Sequence, residues 1–122
     1  MKYFLVILFL LLTSQVGAKE RKNDAGQLQL DCAEYLKAGD DASKNALNAM
    51  ACQEFIQGII STKTYYSLFY QIDKGFCLPK MVNPTEVATA INSYILSKPL
   101  NRGLMKGAIA MRALEQSYPC KK

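Results

Sequence analysis

Four cysteines are the residues of this chain whose type and spacing most clearly indicate chemistry: Cys32, Cys52, Cys77 and Cys120. Thiols can be oxidised in pairs to disulfides, or four thiolates can hold a tetrahedral metal ion. The short Cys-x-x-Cys spacing typical of such metal sites does not occur, so the metal site is the weaker alternative. The chain also lacks His, which excludes Ser-His-Asp and Cys-His catalytic centres and a His-ligated zinc ion.

Paired carboxylates are the second candidate for chemistry. Asp31 and Glu34 lie three residues apart, and Asp40 and Asp41 are adjacent. Two carboxylates can cleave a glycosidic bond when one donates a proton and the other acts as base or nucleophile. No further motif supports such a site, and acidic residues are favoured near helix starts and in turns. We therefore predict no catalytic residue, no metal and no cofactor, and a protein that is not an enzyme.

The N-terminal segment has the layout of a secretory signal peptide. A short basic start precedes nine consecutive apolar residues at positions 4–12, and Val16 and Ala18 supply the small residues of a cleavage site. A bilayer span needs roughly 20 apolar residues, so this run is short for an anchor. We predict that residues 1–18 are removed after export and that the mature protein is periplasmic. An uncleaved membrane anchor is the alternative.

The net charge of +5 is concentrated at the ends of the chain. Between residues 27 and 120, nine basic side chains nearly balance eight acidic ones. Nucleic-acid-binding proteins carry their basic excess as a patch on the folded surface, so this distribution, like export, argues against nucleic acid as a partner. We predict a flexible leader at residues 19–26, one folded domain at residues 27–120, and no membrane contact after the signal peptide is cleaved.

The spacing of the cysteines favours one of the three possible disulfide pairings. Two antiparallel helices place residues opposite each other when both are equally far from the turn. The midpoint between Cys32 and Cys52 falls in a Gly-Asp-Asp-Ala-Ser turn sequence. The midpoint between Cys77 and Cys120 falls beside a proline that ends a helical pattern. We therefore predict one bridge for each of these two pairs, with a crossed pairing or reduced core thiols as the alternatives.

Apolar residues at helical spacing predict an all-α fold of about four helices. Glycine and proline mark the helix ends, and Asn83 followed by Pro-Thr-Glu is a strong helix start. The expected architecture is a small bundle of two helical hairpins, each with one disulfide. Gly58 lies inside the second helix, where a close helix crossing would explain it and a weak point or bend is the alternative. The predicted helices cover residues 28–38, 43–72, 83–98 and 101–117. The buried stripe predicted for the second helix consists of Leu47, Met50, Ala51, Phe55, Ile59, Thr62, Tyr66, Phe69 and Tyr70.

Several short motifs of the chain resemble those of a known family. They are, in order, Cys52-x-x-x-Ile56-x-Gly58, Cys77-x-Pro79, Tyr94-Ile95-x-x-x-Pro99 and Ala113-Leu114-x-x-x-Tyr118-Pro119-Cys120. Together with the signal peptide, the size and the helical pattern, this ordered set resembles the Rap/Tai group of periplasmic immunity proteins. Those proteins protect bacteria from amidase toxins delivered by type VI secretion. The similarity extends over about residues 30–120, which is nearly the whole mature chain.

The resemblance implies an exported helical domain, often a homodimer, that binds a cognate peptidoglycan amidase toxin and occludes its active site. It also implies structural roles for the bridge between Cys77 and Cys120, for Gly58 as a packing position, and for Pro79 and Pro99 as helix boundaries. It supplies no catalytic residue and does not locate the toxin-binding surface. The alternative functions are a periplasmic stress chaperone or another small secreted binding protein. A chaperone switched by mild acid needs His or clustered acids, which this chain lacks.

An aromatic band near the end of the second helix is the first candidate partner-binding surface. Tyr65, Tyr66, Phe69 and Tyr70 cover a wider face of a helix than one buried stripe needs, and Tyr is favoured in recognition surfaces. We therefore predict that the three tyrosines of the band contact the partner protein. One alternative is that Tyr66, Phe69 and Tyr70 belong to the core. Another is that the band forms a dimer contact.

A basic series at four-residue spacing, Lys98, Arg102 and Lys106, is the second candidate. The last two are expected on one face at the start of the fourth helix, where positive charge opposes the helix dipole. Five basic side chains outnumber two acidic ones from residue 77 to 120, whereas acidic ones outnumber basic ones six to four from residue 27 to 76. Because such polarity can steer a partner protein, we add Arg102 and Lys106 to the predicted partner-binding residues. A solvated face without function is the alternative.

Overall fold

The computed structural model describes residues 21–37, 45–71 and 74–121. The predicted signal peptide at residues 1–18 and the predicted turn at residues 39–43 lie outside these ranges. The described chain folds into α1 (Ala25–Lys37), α2 (Ala46–Tyr70), α3 (Pro84–Ser97) and α4 (Lys106–Ser117), with a 3₁₀ helix (Pro99–Gly103) between α3 and α4. Its only extended pairings are isolated bridges, so the predicted all-α class is confirmed. None of the described helices is both long and apolar enough to cross a membrane.

Helix α1 begins earlier than predicted. The Asp24 carboxylate accepts a hydrogen bond of 2.8 Å from the backbone N–H of Gln27, as a helix-capping side chain does. Ala25 is fully buried, so this first turn is anchored in the core. The prediction that the first helix starts at about Leu28 is therefore wrong. The first turn of α1 contains Ala25 and Gly26, which were predicted to belong to a flexible leader.

Helix α1 lies at the centre of the fold. It packs against α2, α3, α4 and the 3₁₀ helix. The buried face of α1 carries Leu28 and Cys32, which enter one continuous core with residues of the other three helices. This arrangement leaves α2, the longest helix, packed on one side only, against α1 and α3. The largest fully buried side chains of the core are Leu28, Ile56, Ile91, Ile95, Leu114, Val87, Cys32 and Cys52.

Helix α3 starts as the sequence predicts. The Asn83 side chain accepts a hydrogen bond of 2.9 Å from the backbone N–H of Thr85, and Pro84 occupies the first helical position, where its missing N–H has no helical partner to lose. The buried face of α3 includes Val87, Ile91 and Ile95, as the helical spacing predicts. The helix ends at Ser97, two residues before Pro99.

Helix α4 starts later than predicted. The chain after α3 forms the 3₁₀ helix and then turns extended at Leu104, so the prediction of one helix from Asn101 is wrong. The reason is a pairing with the segment before α1: the N–H of Ala25 donates to the Leu104 carbonyl at 2.8 Å, and the N–H of Lys106 donates to the Asn23 carbonyl at 3.4 Å. These bonds use the backbone groups that a continuous helix would need.

Helix α2 buries a different face from the predicted stripe. Cys52 and Ile56 are fully buried, whereas Leu47 and Met50 of the predicted stripe are 76% and 57% exposed. Phe55, Ile59 and Ile60 are partly buried against the core. The prediction is therefore wrong, because the predicted stripe is rotated around the helix axis from the face that is buried. The disulfide of Cys52 fixes the buried face, so residues 56 and 60 in the following turns lie toward the core.

Both predicted disulfides are confirmed. Cys32 and Cys52 join α1 to α2, with a Cα–Cα distance of 5.0 Å. Cys77 and Cys120 join the segment before α3 to the segment after α4, with a Cα–Cα distance of 4.9 Å. The second bridge is reinforced by the backbone, since the N–H of Cys77 donates to the Tyr118 carbonyl at 2.8 Å. Each bridge thus connects the two arms of one helical hairpin.

Candidate protein-binding surface

Four aromatic side chains form one exposed cluster on the last turns of α2. We call Tyr65, Tyr66, Phe69 and Tyr70 the aromatic patch. The ring centroid of Tyr65 lies 5.7 Å from that of Tyr66, 5.0 Å from that of Phe69 and 5.8 Å from that of Tyr70. The rings of Tyr66 and Tyr70 are 5.5 Å apart. All four side chains are exposed, and Phe69 reaches 71%, so the alternative that three of them belong to the core is wrong.

The aromatic patch carries no charged side chain. A side-chain hydrogen bond with Tyr70, and to a smaller extent desolvation, raise the pKa of Tyr65 above its ordinary value. Helix α2 ends directly after the patch, where Gln71 adopts a left-handed conformation with φ of 52° and donates its N–H to the Tyr66 carbonyl. The patch therefore lies at a capped helix end and presents rings with hydroxyl tips, a combination suited to protein recognition.

A groove lies beside the aromatic patch, and Tyr66 belongs to both. We call this groove, which has a volume of about 560 Å³, the α2 groove. It runs between one side of α2, the segment at residues 74–76 and Met111 of α4, and its lining is mainly apolar. The lining residues are Glu54, Phe55, Gly58, Ile59, Thr62, Lys63, Tyr66, Lys74, Phe76 and Met111.

Gly58 lies in this groove and does not pack against another helix. A Cβ atom built at Gly58 would meet no atom within 4 Å, so the expected close helix crossing is absent from the described chain. The packing role that the family resemblance implies for Gly58 is therefore not met by the residues that the structure describes in one copy of the chain. Glycine inside a helix costs about 1 kcal/mol relative to alanine, and no residue at positions 21–37, 45–71 or 74–121 makes a compensating contact there.

The three residues of the predicted basic series lie in different surroundings. The Nζ atom of Lys98 lies 4.6 Å from the ring centroid of Tyr94. Arg102 is in the 3₁₀ helix, with its Cβ against Gly26 at the start of α1. The Nζ atom of Lys106 lies 5.1 Å from the ring centroid of Phe55. The prediction that Arg102 and Lys106 share one helix face is therefore wrong, and Lys106 alone of the series lies over a residue of the α2 groove.

The surroundings of Asp31 indicate a role in the fold and not in catalysis. Its side chain is only 7% exposed, and its carboxylate accepts hydrogen bonds from Arg21 at 2.5 Å and from Gln27 at 3.0 Å. Arg21 was not predicted as a partner of Asp31, because a residue in the predicted leader has no periodic pattern that connects it with α1. Among residues 21–37, 45–71 and 74–121, no three His, Cys, Asp or Glu side chains cluster as they would to bind a metal ion.

Comparisons with known proteins identify the family of this chain. Searches of curated proteins and of solved structures gave no match. The model of the Rap1a immunity proteins matches residues 24–120. The match begins at the capping residue of α1 and ends at the last cysteine, so it includes all four described helices and both disulfides. The chain therefore belongs to the Rap1a immunity protein family.

Proposed function

We propose that this protein is a periplasmic immunity protein that binds a peptidoglycan amidase toxin of type VI secretion and occludes its active site. The observation that carries this proposal is the family match over residues 24–120. The role is that of an inhibitor, which needs a binding surface and no catalytic residue of its own. Oxidised cysteine pairs support a location outside the cytosol, since disulfides persist in oxidising compartments such as the periplasm.

The aromatic patch is the surface that we propose for toxin binding. Residues that dominate protein interfaces are enriched in Tyr and Trp, and here Tyr65, Tyr66 and Tyr70 are exposed in one cluster. The patch lies on a helix bridged to α1 by a disulfide, which limits the conformational freedom lost on binding. Lys106, near Phe55 in the adjacent groove, belongs to the same proposed surface, whereas Arg102 lies against the start of α1 and is left out of it.

Coexpression with the product of the adjacent gene, directed to the periplasm, tests the proposal. The immunity protein is expected to restore growth, and the two purified proteins are expected to form a complex. Replacing Tyr65, Tyr66 and Tyr70 together by Ala is expected to raise the Kd at least roughly 30-fold, since one interface hot spot is worth about 2 kcal/mol or more. Leu100→Ala, at an exposed apolar residue of the 3₁₀ helix, is the control. A toxin that kills in the presence of the wild-type protein would contradict the proposal.

Export and oligomeric state complete the proposed function. We propose cleavage after Ala18, a mature chain that starts at Lys19, and a homodimer as the family resemblance implies. N-terminal sequencing of the periplasmic protein tests the cleavage, and a chain that retains residues 1–18 would contradict it. Sedimentation of the purified protein tests the dimer, and a monomer at micromolar concentration would contradict that part alone.

A further inference from the structure

We propose that the α2 groove receives an apolar segment of the toxin that carries a carboxylate. This inference rests on the proposed function and adds the chemistry of the bound segment. The groove is next to the aromatic patch and shares Tyr66 with it, so one toxin surface can contact both. An open glycine, an apolar lining and an excess of positive charge along the groove favour this occupant.

Gly58 has no role in the fold that requires glycine. Its φ is not in the left-handed region, where Gly75 is the only described glycine. No atom lies within 4 Å of the Cβ that another residue would add. A helix is more stable with alanine at such a position. Because glycine also lets a neighbouring chain approach the helix backbone closely, the residue fits a contact made by another molecule.

The lining of the groove fits an apolar segment. Phe55 and Ile59 are only partly buried by the core, and Met111 is 43% exposed, so apolar surface remains open to a partner. The lining residues on α2 run from Glu54 to Tyr66, which corresponds to about 18 Å of helix. That length accommodates about three turns of a helix or roughly six residues of extended chain.

The charges around the groove favour a partner with a carboxylate. Lys63 and Lys74 line it, and Glu54 is the one acidic residue among its described lining residues. The Nζ atom of Lys63 donates to the Lys74 carbonyl at 3.2 Å and lies 5.4 Å from the Phe76 ring centroid, so this ammonium group is held at the groove wall. Lys106 adds a third positive charge above Phe55.

The same charges disfavour a second copy of the chain as the occupant. A two-fold symmetric dimer places identical patches against each other, so a groove lining of net positive charge would face another of the same sign. Like charges across an interface are unfavourable. A toxin segment with Asp or Glu at the end near Lys74 meets the same groove with opposite charge.

The test compares two glycines that are replaced in the same way. Gly58→Ala and Gly107→Ala both add a methyl group to a helix where no atom lies within 4 Å, but only Gly58 lines the α2 groove. The probe is the purified product of the adjacent gene, titrated by calorimetry. We expect Gly58→Ala to raise the melting temperature by about 4 °C while raising the Kd about tenfold. Gly107→Ala is expected to leave the Kd unchanged, and Gly58→Leu, which fills the groove, to raise it at least 100-fold.

A second pair of variants tests the charge. Lys74→Gln and Lys106→Gln are each expected to raise the Kd three- to tenfold and to weaken its dependence on salt. Lys121→Gln, at an exposed lysine outside the groove, is expected to change neither. Equal salt dependence in all three variants would remove the carboxylate from the proposal.

The outcomes separate this inference from the proposed function. If the wild-type protein neither binds the probe nor protects cells, the proposed function fails and this inference with it. If the wild type binds and Gly58→Ala and Gly58→Leu bind equally well, the groove assignment is overturned while the function stands. If Gly58→Leu instead dissociates a homodimer and leaves the toxin affinity unchanged, the groove is a self-association surface and the inference is overturned. Circular dichroism of each variant checks its fold, and if Gly58→Leu misfolds, the Kd of Gly58→Ala alone decides between these outcomes.

Discussion

At the scale of single residues, Arg21 and Asp31 connect the start of the described chain to the core. The Asp31 side chain is almost fully buried, whereas that of Arg21 is nearly half exposed. A buried carboxylate that loses its cation keeps the cost of desolvation without the compensating attraction. Without Arg21, the Asp31 carboxylate would keep one of the two hydrogen bonds described above, the one that Gln27 donates.

We expect Arg21→Ala to lower the free energy of unfolding by about 1–2 kcal/mol. Hydrogen bonds to charged groups contribute about 1.5–3 kcal/mol, and the exposure of Arg21 reduces this contribution. Urea denaturation measures the change. Lys37→Ala is the matched control, since it removes the exposed pair between Lys37 and Glu34, with its N–O distance of 3.5 Å. Exposed pairs contribute less than about 1 kcal/mol. Equal losses in both variants would show that the burial of Asp31 does not make its ion pair more important.

Ionisation of the Tyr118 phenol makes the free energy of unfolding depend on pH in the alkaline range. Burial, and to a smaller extent the negative charge of Glu86, raise the pKa of Tyr118 above its ordinary value. Below pH of about 10 the phenol is protonated in both the folded and the unfolded chain. Between the unfolded and the folded pKa, the folded state holds more protons, so the free energy of unfolding falls as the pH rises through this window.

We expect Tyr118→Phe to lose less stability than the wild type between pH of about 9 and about 11, because the variant has no phenol to ionise at this position. Chemical denaturation at each pH measures the difference. Glu86→Gln is expected to reduce the wild-type decline only partly, since burial is the larger cause of the raised pKa. Parallel declines in the wild type and Tyr118→Phe would contradict the coupling.

At the scale of elements, two helices begin at Asn residues with different geometry. Asn83 accepts a hydrogen bond from Thr85 at the start of α3, whereas Asn45 makes no side-chain capping bond at the start of α2. We expect Asn83→Ala to lower the free energy of unfolding by about 1 kcal/mol. Asn45→Ala is expected to change it by less than half as much, and thermal denaturation compares the two. The same loss in both variants would contradict the structural distinction.

The face of α2 shows where sequence periodicity reaches its limit. Apolar residues surround much of this helix, so several stripes satisfy the helical spacing, and the one through Leu47 and Met50 is exposed. The position of Cys52 indicates which face is buried, because a disulfide to α1 requires this residue to face the core. Taking Cys52 as the centre of the buried face leads directly to Ile56, one turn later. The same correction does not extend to the aromatic patch: Tyr70 lies 18 residues, or five turns, after Cys52 and therefore on the same helix face. It is exposed because the part of α2 that packs against the core ends at Ile60.

Helices α1, α3 and α4 differ in how far local sequence determined their starts. The start of α3 was predictable because Asn83 and Pro84 act within a few residues. The late start of α4 depends on the pairing of Leu104 with Ala25, which is distant in the chain, and local patterns do not reveal such a contact. The Asp24 cap of α1 was visible in principle, but it lay in a segment predicted to be a leader.

At the scale of the whole molecule, the two disulfides differ in accessibility. Cys32 and Cys52 are fully buried, whereas Cys77 and Cys120 are partly exposed. Thiol–disulfide exchange requires a thiolate to reach the sulfur. We therefore expect dithiothreitol to reduce the bridge between Cys77 and Cys120 first under native conditions. Alkylation at timed intervals followed by mass spectrometry measures the order, and urea is expected to abolish the difference. Simultaneous reduction without urea would contradict it.

The bridge between Cys77 and Cys120 also lies next to the groove wall. Lys74 and Phe76 form that wall, and Phe76 pairs with Pro119 next to the bridge. A newly synthesised chain in the cytosol is reduced and lacks the covalent link that holds the wall in place. Under the proposed function, we therefore expect the precursor to have little affinity for the toxin, and oxidation after the proposed export to complete the proposed binding surface. Protection would then begin only in the compartment that contains the cell wall.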